Sequence, residues 1–156
     1  MSPKLVSQPV HVDLGGLDNR YKRADLHLYG IDHSGPSYEG RVFLNHPDAD
    51  ENTALTPESG YAGSFYVFGH GGCYGDESHC EVPEKRRPYD LRTPHALLPE
   101  EHHVIITDSL RRIEQAGATE LTVTVVPIVR DAPAYIPADM VRDPLKVERV
   151  SIVTYD

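Results

Sequence analysis

Residues 23–31 read RADLHLYGI, and their alternation decides the fold. Ala24, Leu26 and Leu28 face one way; Asp25, His27 and Tyr29 face the other. A side-chain period of two belongs to a strand, and one apolar face against one polar face marks a strand that is half buried. The same pattern recurs along the chain. EGRVFLN (39–45) sets Val42 and Leu44 opposite Arg41 and Phe43, and GSFYVFG (63–69) sets Phe65 and Val67 opposite Tyr66 and Phe68. HVIIT (103–107), LTVTVVPIV (121–129) and VERVSIVTY (147–155) are rich in β-branched residues and bounded by turn formers. Phe65, Val67, Leu121, Val123, Val125, Val150 and Ile152 are the expected core.

One segment breaks the rhythm. TDSLRRIEQAGA (107–118) spaces Leu110, Ile113 and Ala116 helically, which predicts one short helix near 108–116. Asp108 is the expected N-cap, and Gly117 the left-handed residue that ends the helix. Three stretches read as loops: the acidic 45–60, the segment 81–99 with Pro83, Pro88, Pro94 and Pro99, and 130–144. The expectation is an all-β fold, a β-sandwich of six to eight mainly antiparallel strands with that helix. It forms a single domain over 1–156, with an N-terminal extension at 1–20 and a long His/Cys/Pro-rich loop region at 69–103.

The chain of 156 residues carries 24 acidic and 15 basic residues, a net charge of −9 with histidine neutral. That balance argues against a general nucleic-acid binder, which needs clustered cations. The one basic cluster, Lys85, Arg86 and Arg87, sits among prolines and reads as a solvated loop. No apolar run approaches the roughly 20 residues of a membrane helix, so no membrane partner is expected. The opening MSPKLVSQPVHVDL lacks an apolar signal core, which predicts a cytoplasmic protein, with secretion alongside a partner as the alternative. Association into a homo-oligomer stays open.

Both cysteines and two of the nine histidines fall between His70 and Cys80. Thiolate and imidazole are donors for Zn(II) and Cu(I), and the spacing H-x2-C-x5-H-C puts four on one loop. Cys73 and Cys80 read either as a disulfide closing a short loop or as metal ligands. His70, His79, His95 and His102 are the metal candidates, with copper as the possible ion. Asp90 and Arg92 read as a surface pair rather than as an orienting carboxylate. Ser34 stands beside His33, but neighbours at a strand end point opposite ways, which discounts them as a nucleophile and its base. No nucleophile elbow, phosphate loop, dinucleotide fingerprint or zinc-protease motif is present.

The ordered short motifs are similar to a known family. YAGSFYVFGH (61–70) resembles the FAGSF…PH signature in the C-terminal domain of plant polyphenol oxidases and related tyrosinase-family proteins. VIITDSL, LTVTVVPIV and VERVSIVTYD follow in the family's order, and DLHLYGIDHSGPSYEGRVFLNHPDA looks like the opening of that domain in bacterial tyrosinase-like proteins. The resemblance covers roughly residues 20 to 156, and the segment 69–80 departs from the plant pattern. It implies the accessory β domain and not the oxidase. In that family the type-3 copper pair sits in a separate helical domain, against which the β domain packs and whose entrance it can shield.

Three readings follow. The first is an accessory or interaction domain that docks on or stabilises a tyrosinase-like copper protein. The second is a stand-alone copper-binding protein or small metalloenzyme that oxidises a phenolic substrate with histidines of 69–103. The third is a metal-free binder lined by Tyr66, Tyr74 and Tyr89.

Overall fold

The computed structural model describes residues 4–6, 10–11, 21–71, 88–89, 91, 96–132 and 134–156. Among these residues nine strands run in chain order: β1 (Leu5–Val6), β2 (Val10–His11), β3 (Arg23–Ile31), β4 (Tyr38–Leu44), β5 (Tyr61–Val67), β6 (Glu100–Ile105), β7 (Glu120–Leu121), β8 (Val123–Ile128) and β9 (Arg149–Tyr155). The described residues also form two α-helices, α1 (Thr107–Gln115) and α2 (Ala138–Arg142).

The strands form a four-stranded sheet in the order β1-β8-β4-β5, a three-stranded sheet β6-β3-β9 and a short β2-β7 ribbon. Every pairing is antiparallel. The apolar faces read from the sequence are the faces that meet. Ala24, Leu26 and Leu28 of β3, with Val150 and Ile152 of β9, pack on Val42 and Leu44 of β4, Phe65 and Val67 of β5, and Val123 and Val125 of β8. This is a sandwich with one shared core.

The reverse face of the four-stranded sheet carries a second small cluster, Phe43, Ala49 and Val126. The 45–60 connection folds over it and is held by backbone and side-chain bonds. Lys4 Nζ donates to the Ala49 carbonyl at 2.8 Å, and His46 Nδ1 lies 2.6 Å from the Ser59 carbonyl. A single 3-10 turn, Pro57–Ser59, is set in this loop.

Helix α1 closes one end of the sandwich through Leu110, which is buried, and Ile113, which packs against the core. Its cap differs from the sequence expectation. Ile106 occupies the N-cap position and Asp108 lies within the first turn. The reason is the neighbouring strand: Thr107 Oγ1 accepts from the Ala24 amide at 3.0 Å, so helix entry is fixed by β3 rather than by an aspartate cap. Gly117 does adopt the left-handed backbone expected at the helix end, with φ of 73°.

Two further boundaries differ. Strand β6 opens at Glu100, so residues 100–103 of the expected loop region are strand, because Val104 and its alternate neighbours pair along β3. Helix α2 lies inside 130–144, where the prolines suggested only loop; Pro137 takes its N-cap position, outside the turns that need its missing donor.

Candidate functional site

The strand β5 answers where the glycine-rich stretch begins to be held. Beyond Val67 the backbone runs alongside the β3–β4 connection. The Gly69 amide donates to Ser37 Oγ at 3.0 Å, the His70 amide to the His33 carbonyl at 2.8 Å, and the Gly71 amide to the Gly35 carbonyl at 2.9 Å. Gly69 is required here, since a Cβ would overlap the backbone of Gly35 and Pro36.

This crossing gathers a polar cluster at one end of the sandwich. His33 is buried, and its Nε2 donates to the Leu98 carbonyl at 2.7 Å. Its Nδ1 lies 2.9 Å from Glu100 Oε1, off the axis of an aligned hydrogen bond, so the contact is electrostatic. The other Glu100 oxygen is 3.0 Å from His102 Nε2. His70 sets its ring edge-on to His33 with centroids 4.8 Å apart, and His102 lies against Phe65 at 5.5 Å. Tyr38 completes the cluster, buried and edge-on to Phe65. Burial first, and then the Glu100 carboxylate, raise its phenol well above the usual range.

The sequence missed His33, Tyr38 and Glu100. The signal was Gly30. Its φ of 66° accompanies a register shift between Leu28 and Ile31, which reverses the inward parity. Ile31 and His33 therefore point inward, where strict alternation from Leu28 would turn them out.

Of the expected metal candidates, His70 and His102 share this end but do not converge on a point with a third donor. Among the described residues no group of three or more His, Cys, Asp or Glu could hold a metal ion. His79, His95, Cys73 and Cys80, together with Tyr74, Asp90 and Arg92, lie outside the described residues.

Beside the cluster, on the outer surface, lie two adjoining grooves of about 460 Å³ and 370 Å³ that share Ser37, Phe68 and Arg130. Their walls present three aromatics to solvent: Tyr66 at 69% exposure, Phe68 at 77% and Tyr135 at 65%. Glu39 lies in the floor, with Arg130 at 3.0 Å and Ser64 Oγ donating at 3.0 Å. Burial pushes its carboxyl up, but the Arg41 and Ser64 hydrogen bonds and the two arginine charges outweigh that and hold it below the usual range. Exposed aromatics beside ion pairs are the residue types that contribute to molecular contacts.

Comparison with known proteins gives a likeness of fold. No protein-family model matches the chain, and no curated protein matches it. Solved structures do. A recombinantly expressed latent aurone synthase (polyphenol oxidase) superposes with a TM-score of 0.51 at 18% identity, over 97% of this chain and 23% of that one. Latent aurone synthase from a natural source gives a TM-score of 0.52 at 19% identity, over 97% of this chain and 24% of that one. The chain thus spans about a quarter of the length of the structures it matches.

Proposed function

We propose that this chain is an accessory domain of a polyphenol-oxidase-like copper system, docking on a copper-oxidase domain and covering or stabilising it. The observation that carries the reading is the fold correspondence: 97% of this chain aligns with only 23% of a latent polyphenol oxidase, so its counterpart is one β segment of a larger oxidase. The family-like motif order from residue 61 onward supports the same reading. The docking face under this proposal is the outer groove with Tyr66, Phe68 and Tyr135. Exposed aromatics around a groove are the residues that anchor protein interfaces.

The test uses the 156-residue chain and a polyphenol oxidase copper domain stripped of its own β segment. Mixing should give a complex on size-exclusion chromatography and a lower rate of diphenol oxidation. Phe68→Ser should weaken the complex about tenfold or more, the loss of an interface anchor. A failure of the two proteins to associate at concentrations of tens of micromolar, well above an ordinary specific affinity, would overturn the reading.

A further inference from the structure

The outer face of the β6-β3-β9 sheet carries a constellation that neither the motif reading nor the docking proposal uses. His27 and His103 are cross-strand partners on β3 and β6, and both project from the polar face. Their ring centroids lie 5.8 Å apart. Tyr155, from β9 on the other side of β3, places its hydroxyl 3.4 Å from His27 Nε2. Three strands thus deliver two imidazoles and one phenol to one patch.

The distances fit a shared ion. Bonds near 2 Å set two adjacent donors on a tetragonal copper(II) ion about 2.8 Å apart, and two ligating imidazole rings with centroids about 4.5 Å apart. The Tyr155 oxygen and His27 Nε2 stand 3.4 Å apart, and the two rings 5.8 Å. Binding therefore needs side-chain movements of about an ångström, which exposed side chains make readily. His103 is exposed, and among the described residues it makes no hydrogen bond.

His27 is also oriented from behind. Tyr29 Oη lies 3.2 Å from Nδ1, and Arg149 stacks over the Tyr29 ring at 4.2 Å. When Nδ1–H donates to Tyr29, the Nε2 lone pair is left facing the Tyr155 hydroxyl, with the His103 ring centroid 5.8 Å from that of His27. A ligating histidine is characteristically held by an acceptor on its second nitrogen. Asp25, on the same strand face as His27, is engaged by Arg23, which bonds both of its oxygens at 2.7 Å. The set is therefore two histidines and a tyrosine.

We propose that His27, His103 and Tyr155 form a surface site for one divalent copper ion, with water completing the coordination. Imidazole and phenolate donors favour copper, which stands above zinc in the order of divalent affinities. Binding releases the phenol proton to solvent and changes no oxidation state. The inference is independent of the docking reading and survives its failure.

The probe is copper(II) chloride, titrated into untagged protein and followed by visible absorption, electron paramagnetic resonance and calorimetry. The wild type should bind one ion with a phenolate-to-copper charge-transfer band. Tyr155→Phe should abolish that band while copper still binds, more weakly. His103→Asn, at an exposed position, should cost about tenfold or more in affinity, and Tyr29→Phe about 10–100-fold as the loss of an orienting partner. His102→Gln, on the inner face, should change neither band nor affinity. Melting curves confirm that each variant is folded, and the band alone decides should His103→Asn not fold. A wild type without the band, or copper bound equally by wild type, Tyr155→Phe and His103→Asn, overturns the site.

Discussion

Gly40 shows how much one missing side chain can set. It pairs across the sheet with Phe65, and a Cβ at this position would overlap the Phe65 ring. The glycine is there for space and not for backbone freedom. Gly40→Ala should therefore destabilise by about 1–3 kcal/mol, the cost of overfilling a packed core. Urea denaturation checks it; an unchanged midpoint would mean that Phe65 moves aside without cost. Glu100 acts by charge instead. Nε2 of His33 donates to the Leu98 carbonyl, and the Glu100 carboxylate stands 2.9 Å from Nδ1 on the other side of the ring. Glu100→Gln removes the charge and leaves a buried imidazole poorly partnered. The expected loss is about 1–3 kcal/mol, read from the same denaturation curves. Asp25 gives the acid limb. The Arg23 hydrogen bonds, working against burial, hold its carboxyl below the usual range. A carboxyl depressed in the folded state contributes stability that is present above its unfolded value of about 4 and lost as pH falls through the folded value. Asp25→Asn should flatten the pH dependence of the melting temperature below about pH 4. A variant that keeps the wild-type slope there would assign the acid limb to other carboxylates such as Glu39.

At the scale of elements, strands were legible and their irregularities were not. Ala24, Leu26, Leu28, Val42, Leu44, Phe65 and Val67 are buried on the faces that their alternation implied. Alternation is a local property that survives folding whenever one face meets a core. Phe43 reads as outward-facing and is also buried, because the 45–60 connection folds back over it. No local pattern announces a cover supplied from elsewhere in the chain. The candidate site was lost for a similar reason. Gly30 shifts the register by a bulge, and His33 turns inward to meet Glu100, 67 positions further along the chain. The helix was visible through Leu110 and Ile113, yet its start was set by Thr107 bonding to β3, a tertiary contact that no cap pattern contains. The helix itself supplies a graded prediction. Leu110 is fully buried, whereas Ile113 is only partly so. Leu110→Ala should cost about 2–5 kcal/mol and Ile113→Ala distinctly less. Equal losses would show that α1 leans on the core through both residues alike.

The whole molecule is defined by how its two sheets end. On one side β5 closes toward β6: the space above Gly63 is filled by Val104, and Phe65 meets His102. On the other side the four-stranded sheet ends in β1, two residues long, paired with β8 through Leu5–Val125 and Val6–Thr124. Leu5 packs against the main core, and Lys4 reaches over to the Ala49 carbonyl that covers the second cluster. This first segment thus caps an edge and touches both cores. An edge left open presents unpaired amides and carbonyls to any other strand. Here the strand beneath, β8, is rich in β-branched residues and carries a single proline, so it has little of its own to discourage pairing. Deleting residues 1–8 should therefore do two things together. Stability should fall by about 1–2 kcal/mol, the share expected from a partly buried leucine. The shortened chain should also associate more at high concentration, through the exposed Thr124–Val125 backbone. Light scattering after size exclusion reads the second effect, and thermal denaturation the first. A deletion that melts and elutes as the intact chain does would show that β8 is a tolerated edge and that β1 contributes nothing to closing the sandwich.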